Sequence, residues 1–286
     1  MGNFCGWSGT GLGSDMAQQT LKLMLKSCGG TAGNETNCNY DDVGAIGISE
    51  GLYTTHFHQQ DKIRVAIAGS PAWDDKELSA TSKQHGLGAA LIKAYRKFGK
   101  NLLSRLHGPF ALAILDGKQA LLAIDRIGIH SLSYALRDGM FVFSTSISSV
   151  VKHPKINREI DPQAIFNYIY FYDIPSPGTI FSGVEKLQPA QYVQYRDGLI
   201  EKDFYWKLHF NEHNQASYQT QKQQFHNLLR DAVATSSQGN SIATFLSGGT
   251  DSSTITGVLA ELQEIPVDSY SIGFGAEGFD EMEYAR

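Results

Sequence analysis

Seven consecutive residues concentrate the chemistry of this chain: Ser247, Gly248, Gly249, Thr250, Asp251, Ser252 and Ser253. Two glycines let the backbone turn sharply with its N–H groups exposed. Hydroxyls at Ser252 and Ser253, placed at the first turn of a helix, would join unsatisfied N–H groups and the positive end of the helix dipole. Such a turn is a cradle for phosphate. A carboxylate in the same turn repels a bare phosphate, so Asp251 is expected to hold a Mg2+ that bridges to phosphate oxygens. No Lys-Ser/Thr follows the glycines, which excludes a Walker A loop, and the turn lacks the Gly-x-Gly-x-x-Gly of a dinucleotide fold.

Other reactive side chains form weaker patterns. Cys5, Cys28 and Cys38 are odd in number and lie in the first forty residues without a Cys-x-x-Cys pair, which argues against a disulfide scaffold or a structural metal site. His56 and His58 alternate along a strand-like run and share one face; with no third ligand in view, a polar strand face is the better reading than a metal pair.

The elements that must position the loop follow from hydrophobic period. Ser241–Leu246 reads as a buried strand, and Ile255, Val258, Leu259 and Leu262 mark one face of a helix. Val267–Ile272 reads as a second strand, so the loop sits at the carboxyl end of the first strand of a βαβ unit. A helix over Gln219–Ala234, with Phe225, Leu228, Leu229 and Val233 on one face, leads into it. Upstream, Val43–Ile48, Leu52–Phe57 and Ile63–Ile67 suit an antiparallel layer. Leu87–Phe98 reads as an amphipathic helix, and Phe110–Leu115 with Ala120–Asp125 as a hairpin turning at Asp116-Gly117. Asp125 and Arg126 are expected to form an ion pair that fixes the next turn. Strands follow at Ser133–Leu136 and Phe141–Ser144. Asp161-Pro162 should cap a helix running to about Phe171, and Gln191–Tyr195 and Leu199–Tyr205 flank an Arg196-Asp197-Gly198 turn. Phe166, Tyr168, Tyr170, Phe171 and Tyr172 have few basic neighbours, which points to packing between domains rather than to stacking on nucleic-acid bases.

With 286 residues the chain has room for two domains, and the polar stretch Asn211–Tyr218 divides it into 1–210 and 211–286. A composition 42% hydrophobic and 19% charged, with net charge −5, suits a soluble globular protein and argues against a nucleic-acid partner. The first thirty residues show neither signal peptide nor membrane span, so the expected location is cytoplasmic.

The loop SGGTDSS resembles the pyrophosphatase-type loop of ATP-dependent adenylating enzymes, and MGNFCGWSG resembles the start of a class II glutamine amidotransferase domain. LHGPFALAILDGKQALLAIDRIGIHSLSYAL and REIDPQAIFNYIYFYDIPSPGTIFSGVEKLQPAQYV are similar to the glutamine-dependent asparagine synthetases. That resemblance implies an α+β amidotransferase sandwich of the N-terminal-nucleophile type, two antiparallel sheets flanked by helices, followed by the beginning of an α/β PP-loop domain. It implies ATP phosphates at Leu246, Ser247, Gly248, Gly249, Asp251, Ser252 and Ser253, with Mg2+ at Asp251 and adenine near Ser271, Ile272, Gly273 and Phe274. ATP, an aspartate-like acceptor and glutamine or ammonia would be the substrates, and a separate synthetase chain or a second copy a possible partner. In the family a thiolate attacks the glutamine amide with the cysteine's own α-amino group as base. Cys5 lies behind Met1-Gly2-Asn3-Phe4, so it reads equally as that nucleophile and as a small buried hydrophobe. Gly69 matches the glycine of an Asn-Gly oxyanion pair, but Ala68 stands at the asparagine. No arginine for the glutamine carboxylate is evident around GLYTTHFHQQ, and His85-Gly86 falls where an aspartate-bearing segment is expected. The chain stops at FDEMEYAR, where the family continues. The reading is therefore a truncated or split asparagine synthetase-like ligase, with an ammonia-using relative or a non-catalytic fragment as alternatives.

Overall fold

The computed structural model describes residues 3–29, 38–49, 54–210, 215–237, 242–263, 266–275 and 282–285. They fall into two units, Met1–Leu208 and His209–Arg286. The first unit runs β1 (Asn3–Ser8), α1 (Ser14–Ser27), β2 (Cys38–Asp41), β3 (Gly44–Ser49), β4 (Thr55–Gln60), β5 (Ile63–Gly69), β6 (Ala72–Trp73), α2 (Lys76–His85) and α3 (Leu87–Phe98). After a 3-10 stretch come β7 (Leu106–His107), β8 (Phe110–Asp116), β9 (Gln119–Ile124), β10 (Ser133–Arg137), β11 (Met140–Ser144) and α4 (Ile147–Val150). The unit closes with α5 (Pro162–Phe171), β12 (Glu185–Lys186), β13 (Gln191–Arg196) and β14 (Leu199–Phe204).

Twelve of these strands make two antiparallel sheets, ordered β12-β10-β11-β1-β3-β2 and β14-β13-β9-β8-β5-β4. Phe4, Ile46, Ala66, Leu122 and Phe141 fill the space between the sheets. Val65, Ile67 and Leu112 point the other way, against Leu91 and Ala94 of α3. On the far side of the first sheet, Trp7 and Val142 pack with Leu21 and Met24 of α1. Both faces of β5 and β8 are therefore buried, which is why VAIAG in β5 and FALAIL in β8 read as apolar runs instead of alternating ones. The result is the sandwich of two antiparallel sheets flanked by helices that the amidotransferase resemblance implies.

Two polar residues tie this unit together. Arg64, only 2% exposed, lies on the inter-sheet side of β5 and reaches the opposite sheet. Its Nη1 donates to Asn39 Oδ1 and to the Gly44 carbonyl, each at 3.1 Å, and its Nη2 pairs with Asp41 at 3.3 Å. Burial pulls the guanidinium pKa down and Asp41 opposes that pull. Asp125 does not form the expected ion pair with Arg126. Its carboxylate accepts N–H groups from Phe110, Ile127, Ile129 and His130, while the Arg126 guanidinium stacks over Trp206. A buried carboxylate facing a turn gains more from several fixed amide donors than from one flexible side chain.

The Asp161 side chain caps α5 through the Gln163 N–H at 2.9 Å, with Pro162 in the first turn. On this unit the aromatic residues of α5 stand exposed, Phe166 and Tyr170 stacking on each other.

The second unit consists of α6 (Tyr218–Ser236), β15 (Ala243–Phe245), α7 (Thr250–Leu262), β16 (Asp268–Tyr270) and α8 (Met282–Ala285). β15 and β16 pair in parallel, Ala243 opposite Asp268, across α7. Leu229, Ala232, Val233 and Ser236 of α6 line a cavity shared with α7 and β15, but of the helix only Val233 is buried, and Phe225 and Leu228 are 65% and 69% exposed. Of the four residues the period predicts to share a buried face, Val233 is buried and Leu229 half-buried. Among the described residues no helix is long and apolar enough to cross a membrane.

Candidate functional site

In the second unit the turn after β15 is held from both sides. The Leu246 N–H donates to the Tyr270 carbonyl at 2.9 Å, and Ser271 Oγ donates to the Leu246 carbonyl at 2.6 Å. Gly248 then takes a φ of +86°, and a Cβ placed there would lie 2.6 Å from Tyr284 Cβ, so both dihedral and space demand glycine. Ser252 Oγ accepts the Ser247 N–H at 3.1 Å and lies 3.0 Å from Ser247 Oγ. Ser247 Oγ accepts the Gly249 N–H at 3.3 Å. The hydroxyls thereby shape the turn from inside. α7 starts at Thr250 from Gly249 with no side-chain cap, which leaves its first-turn N–H groups to a ligand, with Asp251 in that turn.

Beside the turn a cavity of about 290 Å3 is lined by Phe245, Leu246, Ser247, Tyr270, Ser271, Ile272 and Phe274, with Met282 and Ala285. Apolar and aromatic walls next to a ring of N–H donors suit a ligand with a flat base at one end and phosphates at the other. Of the residues singled out from sequence, Leu246, Ser247, Ser271 and Ile272 line this cavity. Gly248, Gly249, Asp251, Ser252 and Ser253 form the adjoining turn and first helical turn. Gly273 does not line it; Phe274 does. Phe245 and Tyr270 were not foreseen, because in sequence they lie inside the two strands that read as Ser241–Leu246 and Val267–Ile272.

Among the described residues no group of three or more His, Cys, Asp or Glu side chains could hold a metal ion. Asp251 is a single carboxylate, and that fits Mg2+, which binds through one or two carboxylates together with substrate phosphates and waters.

The amidotransferase residues are not assembled in the same way. Cys5 lies inside β1, opposite Gly47 on one side and Ser144 on the other, fully buried. Its thiol faces the α1 layer, the side of the first sheet turned away from the second. Burial, with the Cys28 thiol beside it, pushes its pKa well up. In this structure the thiol packs within that layer, and the Cys5 nitrogen is in peptide linkage to Phe4. Gly69 ends β5 in the other sheet and its N–H already donates to the Thr54 carbonyl at 2.9 Å. At φ +103°, a Cβ on Gly69 would lie 2.3 Å from the Pro109 carbonyl oxygen and 2.8 Å from His130 Nε2. Ala68 is buried between the sheets. Cys5 thus lies in the first sheet with its thiol toward α1, and Gly69 lies at the end of β5 in the second sheet.

The sequence matches the glutamine amidotransferase domain model over residues 76–206 and the asparagine synthase model over residues 224–286. The first match begins beyond both Cys5 and Gly69. Asparagine synthetase (glutamine-hydrolyzing) 1 of Bacillus subtilis is 31% identical over 205 residues, 68% of this chain and 31% of that protein. Asparagine synthetase (glutamine-hydrolyzing) 3 of the same organism is 29% identical over 192 residues, 64% of this chain and 31% of that protein. An amidase of Penicillium rubens, chyE, is 28% identical over 221 residues, 72% of this chain and 32% of that protein. The chain spans about a third of the length of these curated relatives.

Proposed function

The chain belongs to the asparagine synthetase family, and from that premise we propose that it carries the adenylation loop of an ATP-dependent, amide-forming ligase. In this reading the first-turn N–H groups of α7 at Thr250 and Asp251 hold the pyrophosphate end of ATP, and the cavity between Phe245 and Phe274 takes the adenine. Asp251 would hold Mg2+, which would neutralise phosphate charge. A carboxylate of the aspartate type attacks the α-phosphorus, and an amine then displaces AMP. The observation that carries the reading is the uncapped start of α7 behind the Gly248 turn, at the carboxyl end of a strand in parallel pairing. The test is the transfer of labelled pyrophosphate into ATP. Label in ATP that requires both Mg2+ and an acceptor such as aspartate supports it; no transfer by a chain that binds ATP with Mg2+ contradicts it.

A second reading concerns the source of nitrogen. The sealed thiol of Cys5 and the spent N–H of Gly69 favour an amidotransferase unit that serves as scaffold, with ammonia or another amine as the nitrogen donor. Glutamate released from glutamine, and lost on Cys5→Ala, would contradict it.

A further inference from the structure

We propose that Cys5 and Cys28 are a redox-modified pair, joined on oxidation by a disulfide that staples the end of α1 to β1. Three observations place the two sulfurs together. Ser144 stands opposite Cys5 across β1 and β11, and its Oγ lies 3.3 Å from Cys28 Sγ. The two cysteines belong to the same buried cluster, between β1 and α1. Asn3 Nδ2 donates to the Cys28 carbonyl, which anchors the helix end on the strand that carries Cys5. Neither thiol has a part in the adenylation site.

Their surroundings divide the roles. The neighbouring Cys5 side chain lowers the Cys28 thiol to about 7 despite its burial, and Ser144 and Ser149 act in the same direction. The Ser149 hydroxyl is buried and makes no regular hydrogen bond. Cys5 is held protonated. Cys28, at the helix end, is thus the attacking sulfur and Cys5 the resolving one. With a hydroperoxide as oxidant, the Cys28 thiolate attacks one peroxide oxygen; an S–O bond forms, the O–O bond breaks, and with hydrogen peroxide the leaving group is hydroxide. The Cys5 sulfur then attacks the Cys28 sulfur. The S–S bond forms, the S–O bond breaks, and the Cys5 proton departs with that oxygen as water, so two electrons pass from the sulfurs to the peroxide. Cys38 is the competitor: it is exposed on β2, in register with Gly47, which also pairs with Cys5.

The full chain, treated with hydrogen peroxide, alkylated and digested with trypsin without reduction, tests the pair by mass spectrometry. The expected product joins peptides 1–22 and 27–62, lighter by two hydrogen atoms than their sum and separated again by dithiothreitol. Since peptide 27–62 contains both Cys28 and Cys38, the Cys38→Ser variant must give the same link. Absence of the linked product from treated wild-type chain, or its loss in Cys38→Ser, overturns the proposal.

Discussion

His153 is a buried imidazole with no counter-charge. It is 1% exposed, lies edge-on to Trp7 with ring centroids 5.1 Å apart, and accepts the Lys155 N–H at Nδ1. Burial, helped by Lys155, lowers its pKa from 6.5 to about 4. The unfolded chain binds this proton first, so stability from His153 is complete above pH 6.5 and is lost as pH falls toward 4. The loss over that window amounts to about 3 kcal/mol. Denaturant unfolding at several pH values should show it, and His153→Gln should flatten the slope; equal slopes for both proteins would refute this reading. At this scale the sequence was only partly legible. Asp125 was recognisable as structural, but its partners are backbone amides that no residue pattern displays. Cys5 was ambiguous because a cysteine before a glycine does not say which side of the strand the thiol takes.

Elements with chemical punctuation were read well. α3 runs over Leu87–Phe98 as its apolar period predicts, and α5 begins at Pro162 behind the Asp161 cap and ends at Phe171. The Asp161 cap is worth testing, since α5 exposes most of its apolar residues and so depends on its ends. Asp161→Ala should cost about 1 kcal/mol, measured as a lower denaturation midpoint. Strand existence was legible too, but strand facing was not. In β5, Ala66 and Val65 lie in different cores, and a residue run apolar on both sides carries no alternation to reveal it. α6 shows the opposite failure: its four predicted contact residues share a stripe, yet Phe225 and Leu228 find nothing to cover them on this unit. Period states which residues are able to face a partner, and the partner's size decides how many do.

For the molecule as a whole, the two units differ sharply in burial. Three apolar cores fill the first, whereas Val233 and Leu259 are the buried apolar residues described in the second. Local opening follows from that difference. Amide exchange should therefore be much faster in β15 and α7 than in β8 and β9, and comparable protection in the two would contradict the account. The polar stretch between the halves and the motif in each were legible because both are local in sequence. How the glutamine-site residues lie was not, since it depends on which face of which sheet each one takes. The most direct measurement is calorimetric titration of the full chain with ATP and Mg2+, alongside Gly248→Val, whose side chain would force both the φ of +86° and the contact with Tyr284. The account predicts saturable binding by the wild type and its loss in the variant; no binding by the wild type, or equal binding by both, would contradict it.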